Sequence, residues 1–138
     1  QLGAVYNLMG FWSLSKDVAT IVLPTGTGKT ETMLVSTLAD KADRTLVIVP
    51  TVDLKNQIAN KFSTWGILRE LGVINDSTPN PTVFILNKIL KNESCIDSII
   101  LADIIVSTPS LIARANKDVK NKLKALFSHI LSGKHLLL

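Results

Sequence analysis

Residues 23–30 read LPTGTGKT, a glycine-rich turn closed by Gly-Lys-Thr. Each residue type here has a use in holding phosphate. Gly26 and Gly28 let the backbone curl, so that successive N–H groups face inward as an anion nest. A helix beginning near Gly28 adds the positive end of its dipole. Lys29 reaches the β- and γ-phosphates of a nucleotide, and the hydroxyl of Thr30 ligates Mg²⁺. Pro24, Thr25, Thr27 and Glu31 complete the candidate nucleotide-binding stretch, with the Glu31 side chain expected to face away from the nucleotide. The full pattern is G-x-x-x-x-G-K-[ST], and its first position is Leu23 rather than Gly. An ordinary strand–turn–helix joint also carries glycines. Here, however, strand, loop, Gly-Lys-Thr and helix follow in the order that phosphate binding needs.

The elements that must position this loop are legible around it. Residues 1–14 read as an apolar helix. VATIVLP (18–24) reads as a strand, rich in β-branched residues and bounded by Asp17 and Pro24. Residues 28–41 have helical periodicity, with Leu34, Val35 and Leu38 on one side. RTLVIVP (44–50) is a second strand, and residues 51–65 place Leu54, Ile58, Phe62 and Trp65 at helical spacing. Residues 66–81 are loop-rich, broken by Pro79 and Pro81. Further strands are expected at 82–87 and 103–109, and KHLLL (134–138) opens a fifth. Residues 119–131 form an amphipathic helix with Val119, Leu123, Leu126, Phe127, Ile130 and Leu131 on one face. Strands alternating with helices imply a parallel α/β sheet. Three strands run into a proline, at Pro24, Pro50 and Pro109, and ligands in such sheets gather at the carboxyl ends of strands.

Composition narrows the class. The chain has 138 residues, enough for one domain. It is 46% hydrophobic with a mean hydropathy of +0.32. No run approaches the ~20 apolar residues of a membrane span, so buried parallel strands account for the apolarity. A net charge of +4 permits contact with a polyanion. Within RANKDVKNKLK (114–124) five positive charges accompany one negative. A solvated helix face is the simpler reading of that run, and nucleic-acid affinity through counterion release the sharper one. The lone Cys95 excludes an internal disulfide, consistent with a reducing, cytoplasmic setting. His129 and His135 lack metal-ligand spacing. Trp12, Trp65 and Phe62 fit apolar helix faces better than stacking platforms. The chain starts at Gln1 rather than Met and stops on HLLL, so a piece of a longer polypeptide is expected.

LPTGTGKT resembles motif I of superfamily 2 helicases and translocases, P-loop NTPases that often carry Ala, Leu or Met at the first position. The wording PTGTGKTETM (24–33) is most similar to the restriction-enzyme-type branch, which includes type I and type III restriction motors and phage-defence helicases. LVIVPTVDLKNQ resembles motif Ia, in which Pro50 and Thr51 would touch the sugar–phosphate backbone of a tracked strand. ADIIVSTPSLI resembles motif Ib, with Thr108 and Pro109 as a second backbone clamp. For both turns a helix cap is the simpler alternative. Gln1 followed by Ala4 resembles the Q-x-x-A of the N-terminal helix, whose Gln reads the adenine edge. The resemblance runs from Gln1 to Leu138 and implies the first, N-terminal RecA-like lobe of a two-lobed motor. It also implies ATP and Mg²⁺ as cofactors, Lys29 and Thr30 as catalytic groups, and nucleic acid as partner, DNA in preference to RNA. The second RecA-like lobe of the same polypeptide would complete the site.

In that family the strand after motif Ib runs into the Asp-Glu pair of motif II, which holds the metal and activates water. These 138 residues contain no adjacent Asp-Glu pair. Asp103 opens a strand, and Asp53 and Asp97 fall on helices or loops. The lobe is therefore expected to be incomplete, and these residues alone inactive in ATP hydrolysis. Two other classes stay open: a different P-loop enzyme such as a small-molecule kinase, and a degenerate lobe that binds nucleotide without catalysis.

Overall fold

The computed structural model describes residues 2–15, 17–41, 43–90, 94–121 and 136–137. Helices and parallel strands alternate: α1 (Leu2–Leu14), β1 (Ala19–Thr20), α2 (Lys29–Ala39), β2 (Thr45–Ile48), α3 (Val52–Ser63), α4 (Ile67–Glu70), β3 (Val83–Ile85), α5 (Ser94–Ile100), β4 (Ile104–Ser107), α6 (Pro109–Ala113) and β5 (Leu136–Leu137). Every strand pairing is parallel. One sheet has the order β2-β4-β3, and β1 pairs with β5. This is the parallel α/β architecture expected from the sequence.

The three-stranded sheet is buried on both faces because its strands alternate apolar side chains. Ile104 and Val106 of β4 join Val47, Leu34, Ile58 and Phe62 on the side covered by α2, α3 and α4. Ile105 turns the other way, among Leu86, Ile96, Ile99 and Val119. Thus β4 is the central strand, and all four of its residues are buried.

Several boundaries differ from the sequence expectation. β1 covers two residues instead of 18–24, and among the described residues these two form a parallel ladder with β5. That ladder runs Ala19↔Leu136 and Thr20↔Leu137. Pro24 therefore follows four residues after the strand, not directly. α4 arises in the stretch read as loop-rich, α5 where Asp97 was left to helix or loop, and α6 at the turn where a helix cap was one reading; each is seven residues or shorter. Such short helices carry too few turns for periodicity to register. On α3 the buried stripe is Lys55, Ile58, Ala59 and Phe62, while Leu54 is half exposed. Ile58, Phe62 and Trp65 are buried as expected, but at the start of the helix Lys55 rather than Leu54 faces the core. Residues 117–121 are helical, in line with the expected amphipathic helix, and Val119 is buried. The rest of that helix, with Leu123, Leu126, Phe127, Ile130 and Leu131, lies outside the described residues, as do Gln1, His129 and His135.

Candidate functional site

The chain between β1 and α2 carries the loop. Pro24–Thr27 forms a turn in which Thr27 donates its N–H to the Pro24 carbonyl at 3.3 Å and its hydroxyl to the same oxygen at 2.6 Å. Gly26 occupies the third position with φ of +80°, the conformation a type II turn requires there. Gly28 follows at φ +85° and caps α2 without a side chain. Both positions lie in the left-handed region, where a Cβ is strained. A Cβ built at Gly26 meets nothing within 4 Å, so the loop opens outward. Thr25, Gly26 and Thr27 are exposed, and Gly28, Lys29 and Thr30 are half-buried at the start of α2.

The hydroxyls along α2 divide into two groups. Thr32, Ser36 and Thr37 each donate to the carbonyl four residues back, at 2.9, 2.7 and 3.0 Å. Thr30 makes no such bond among the described residues, and neither does the amine of Lys29 form a hydrogen bond or ion pair there. The two side chains that a nucleotide·Mg²⁺ complex would use are thus both without a hydrogen-bond or ion-pair partner among the described residues. Backbone N–H groups at the first turn of α2 are likewise free of intrahelical acceptors, as at any helix start. Glu31 differs: its carboxylate accepts from Lys61 Nζ on α3 at 2.8 Å. That hydrogen bond holds the Glu31 carboxyl below its usual range, against the upward push of partial burial. Glu31 therefore ties α2 to α3.

The two downstream turns stand at the carboxyl ends of neighbouring strands. The register pairs Ile48 with Ser107 and Ile85 with Val106. The ladder continues with Val49 N–H donating to the Ser107 carbonyl at 2.9 Å and Leu86 N–H to the Val106 carbonyl at 3.0 Å, so the turns after β2 and β4 follow at neighbouring strand ends. Thr51 is exposed and caps α3, accepting from the Leu54 N–H at 3.3 Å. Thr108 is buried, its hydroxyl 3.2 Å from that of Ser110. At this second turn Pro109 and Ser110 face solvent instead. Ser110 is the exposed hydroxyl that the sequence reading passed over as a site residue; only burial distinguishes it from Thr108.

The remaining acids are elsewhere. Asp103 lies at the amino end of β4, accepting from the Thr82 N–H at 2.7 Å. Asp53 is in the first turn of α3 and Asp97 on α5. Among the described residues no group of three or more His, Cys, Asp or Glu could hold a metal, and no helix is long and apolar enough to cross a membrane. A hollow of about 400 Å³ is lined by Leu38, Thr45, Trp65, Pro79 and Ile104. It opens at the amino ends of β2 and β4, the edge opposite the phosphate loop, so it does not belong to this site.

A parallel sheet with helices on both faces and a Gly-Lys-Thr cradle at the start of α2 defines a phosphate-binding α/β lobe. Residues 4–135 match the model of the DEAD/DEAH box helicase family, nearly the whole chain, and the chain belongs to that family. It is thus the RecA-like, ATP-binding type of lobe found in helicases. Neither the curated proteins nor the solved structures yield a match.

Proposed function

We propose that the chain is the ATP-binding half of a motor that couples ATP hydrolysis to movement along nucleic acid, acting on DNA in a restriction or phage-defence setting. The unpartnered pair Lys29 and Thr30 behind the positive-φ glycines carries the nucleotide part of this reading. When bound, ATP·Mg²⁺ supplies the phosphoryl group whose hydrolysis drives movement. Gly26 and Gly28 aim backbone N–H groups at its phosphates, Lys29 offsets their charge, and Thr30 offers a hydroxyl to the metal. The Pro50–Thr51 turn and the second turn, which presents Pro109 and Ser110 rather than the buried Thr108, lie at the carboxyl ends of adjacent strands and support the strand-binding part. The wording of residues 24–33 supports the restriction-type assignment.

The absence of an Asp-Glu pair from these 138 residues favours a second, narrower reading of what they do by themselves. They bind nucleotide but do not activate water. Losing one transition-state donor costs roughly 10²–10³ in rate, and here the metal-holding acid and the water-orienting Glu are both missing. ATP hydrolysis assayed with single-stranded DNA, single-stranded RNA and neither tests both readings. The full-length polypeptide carrying this chain should show strand-stimulated turnover, larger with DNA, that Lys29→Ala abolishes. The 138 residues alone should bind nucleotide without turnover. Surviving turnover in Lys29→Ala would remove the motif I assignment; equal stimulation by RNA would remove the DNA assignment.

A further inference from the structure

Lys55 is 2% exposed and lies in the buried stripe of α3 with Ile58, Ala59 and Phe62. Burying an amine is expensive unless its protons are accepted. Its Nζ donates to the carbonyl oxygen of Leu86 at 2.8 Å and to Oδ1 of Asn87 at 2.7 Å. No carboxylate meets it among the described residues. Packing alone would be served by Leu or Met at this position, and replacing a buried charged group with an apolar one of similar volume is often neutral or stabilising. What Leu or Met could not supply is a polar bond from the second turn of α3 to the carboxyl end of β3. The N-terminus of α3 is the turn capped by Thr51. The tie therefore sets where Thr51 stands relative to the ends of β3 and β4.

We infer that Lys55 is a positioning residue for the strand-binding face: its buried amine locks α3, and with it the Thr51 turn, to the end of β3. This rests on the reading of the Pro50–Thr51 turn and the turn at Pro109–Ser110 as backbone grips. Lys55 itself is too buried to neutralise a phosphate. Its loss misplaces a contact without removing a charge from the contact surface, and that separates it from a direct ligand of the strand. Misplacement of this kind is worth about tenfold in affinity, within the usual range of coupling energies.

The test is Lys55→Met in the full-length polypeptide, with a fluorescent oligothymidylate as probe. Binding is measured across a salt series, beside the affinity for a non-hydrolysable ATP analogue. Strand affinity should fall about tenfold. The slope of log affinity against log salt should not change, and analogue binding should hold. In the stimulated ATPase assay the strand concentration for half-maximal rate should rise while the saturated rate stays. Unchanged strand affinity overturns the inference, as does a slope reduced by about 0.7, the signature of one lost phosphate contact on a single strand. If Lys55→Met does not fold, Asn87→Ala removes one of the two acceptors and should weaken strand binding in the same direction; no change overturns the inference. Failure of the wild-type chain to bind the probe overturns the strand-binding reading itself, and the inference with it.

Discussion

Replacing Lys29 with Ala separates binding from folding more cleanly than any other change. The side chain is half-buried and has no partner among the described residues, so its removal breaks nothing internal. A lysine at the first residue of α2 also faces the positive end of the helix dipole, an unfavourable arrangement worth about 0.3–1 kcal/mol. The ligand-free variant should therefore melt at the same temperature as the wild type or slightly above it. With nucleotide the comparison reverses. A ligand at one hundred times its Kd stabilises the wild type by about 2.7 kcal/mol. At about 2.1 cal/mol/K per residue, 138 residues have an unfolding entropy near 0.3 kcal/mol/K, so the melting temperature should rise by about 9 °C. Two unit charges about 4 Å apart near a protein surface interact by roughly 4 kcal/mol. If water replaces part of that, affinity falls about a hundredfold, and the same ligand concentration then equals the new Kd. The residual stabilisation is about 0.4 kcal/mol, a rise of only ~1 °C. Thermal melts with and without a non-hydrolysable ATP analogue and Mg²⁺ read both quantities. A full 9 °C rise in the variant would show that Lys29 does not meet the phosphates. A large drop in the ligand-free melt would show that it has a structural partner.

Two further outcomes follow from the same geometry. Glu31→Gln breaks the link from α2 to α3 and should cost up to about 1 kcal/mol, since the pair is only partly buried. The folded Glu31 carboxyl ionises below the unfolded one, so the difference from wild type should be complete above the unfolded value of about 4.3. It should vanish as pH falls through the lower folded value; urea melts across that window measure it, and a gap that widens toward low pH would contradict the pair. Arg69 donates to the carbonyls of Asn75, Asp76 and Thr78 and to Oδ1 of Asn80, at 2.8–3.1 Å. Arg69→Lys keeps the charge but not the planar fork, so limited proteolysis should cut within 75–80 as fast as in Arg69→Ala; protection restored by Lys would refute the clamp.

LPTGTGKT was legible as a glycine turn leading into a helix because its geometry is local. Positive-φ glycines, a helix start and the two residues after them are consecutive in the chain, so their spacing carries the geometry. Parallel α/β architecture was legible for a related reason: strands buried on both faces read as apolar runs, and β2 and β4 each carry three apolar residues in a row. What the tertiary structure decided are matters of partners distant in sequence. β1 lies beside β5, a partner from the far end of the chain. Thr108 rather than Ser110 went inside because β4 is central and carries its last residues into the core. Lys55 took a place that periodicity assigned to an apolar residue because Leu86 and Asn87, more than thirty residues away, bring two oxygens within reach of its amine. A sequence shows which side chains a helix can bury; only the opposing surface determines whether a buried amine is satisfied there.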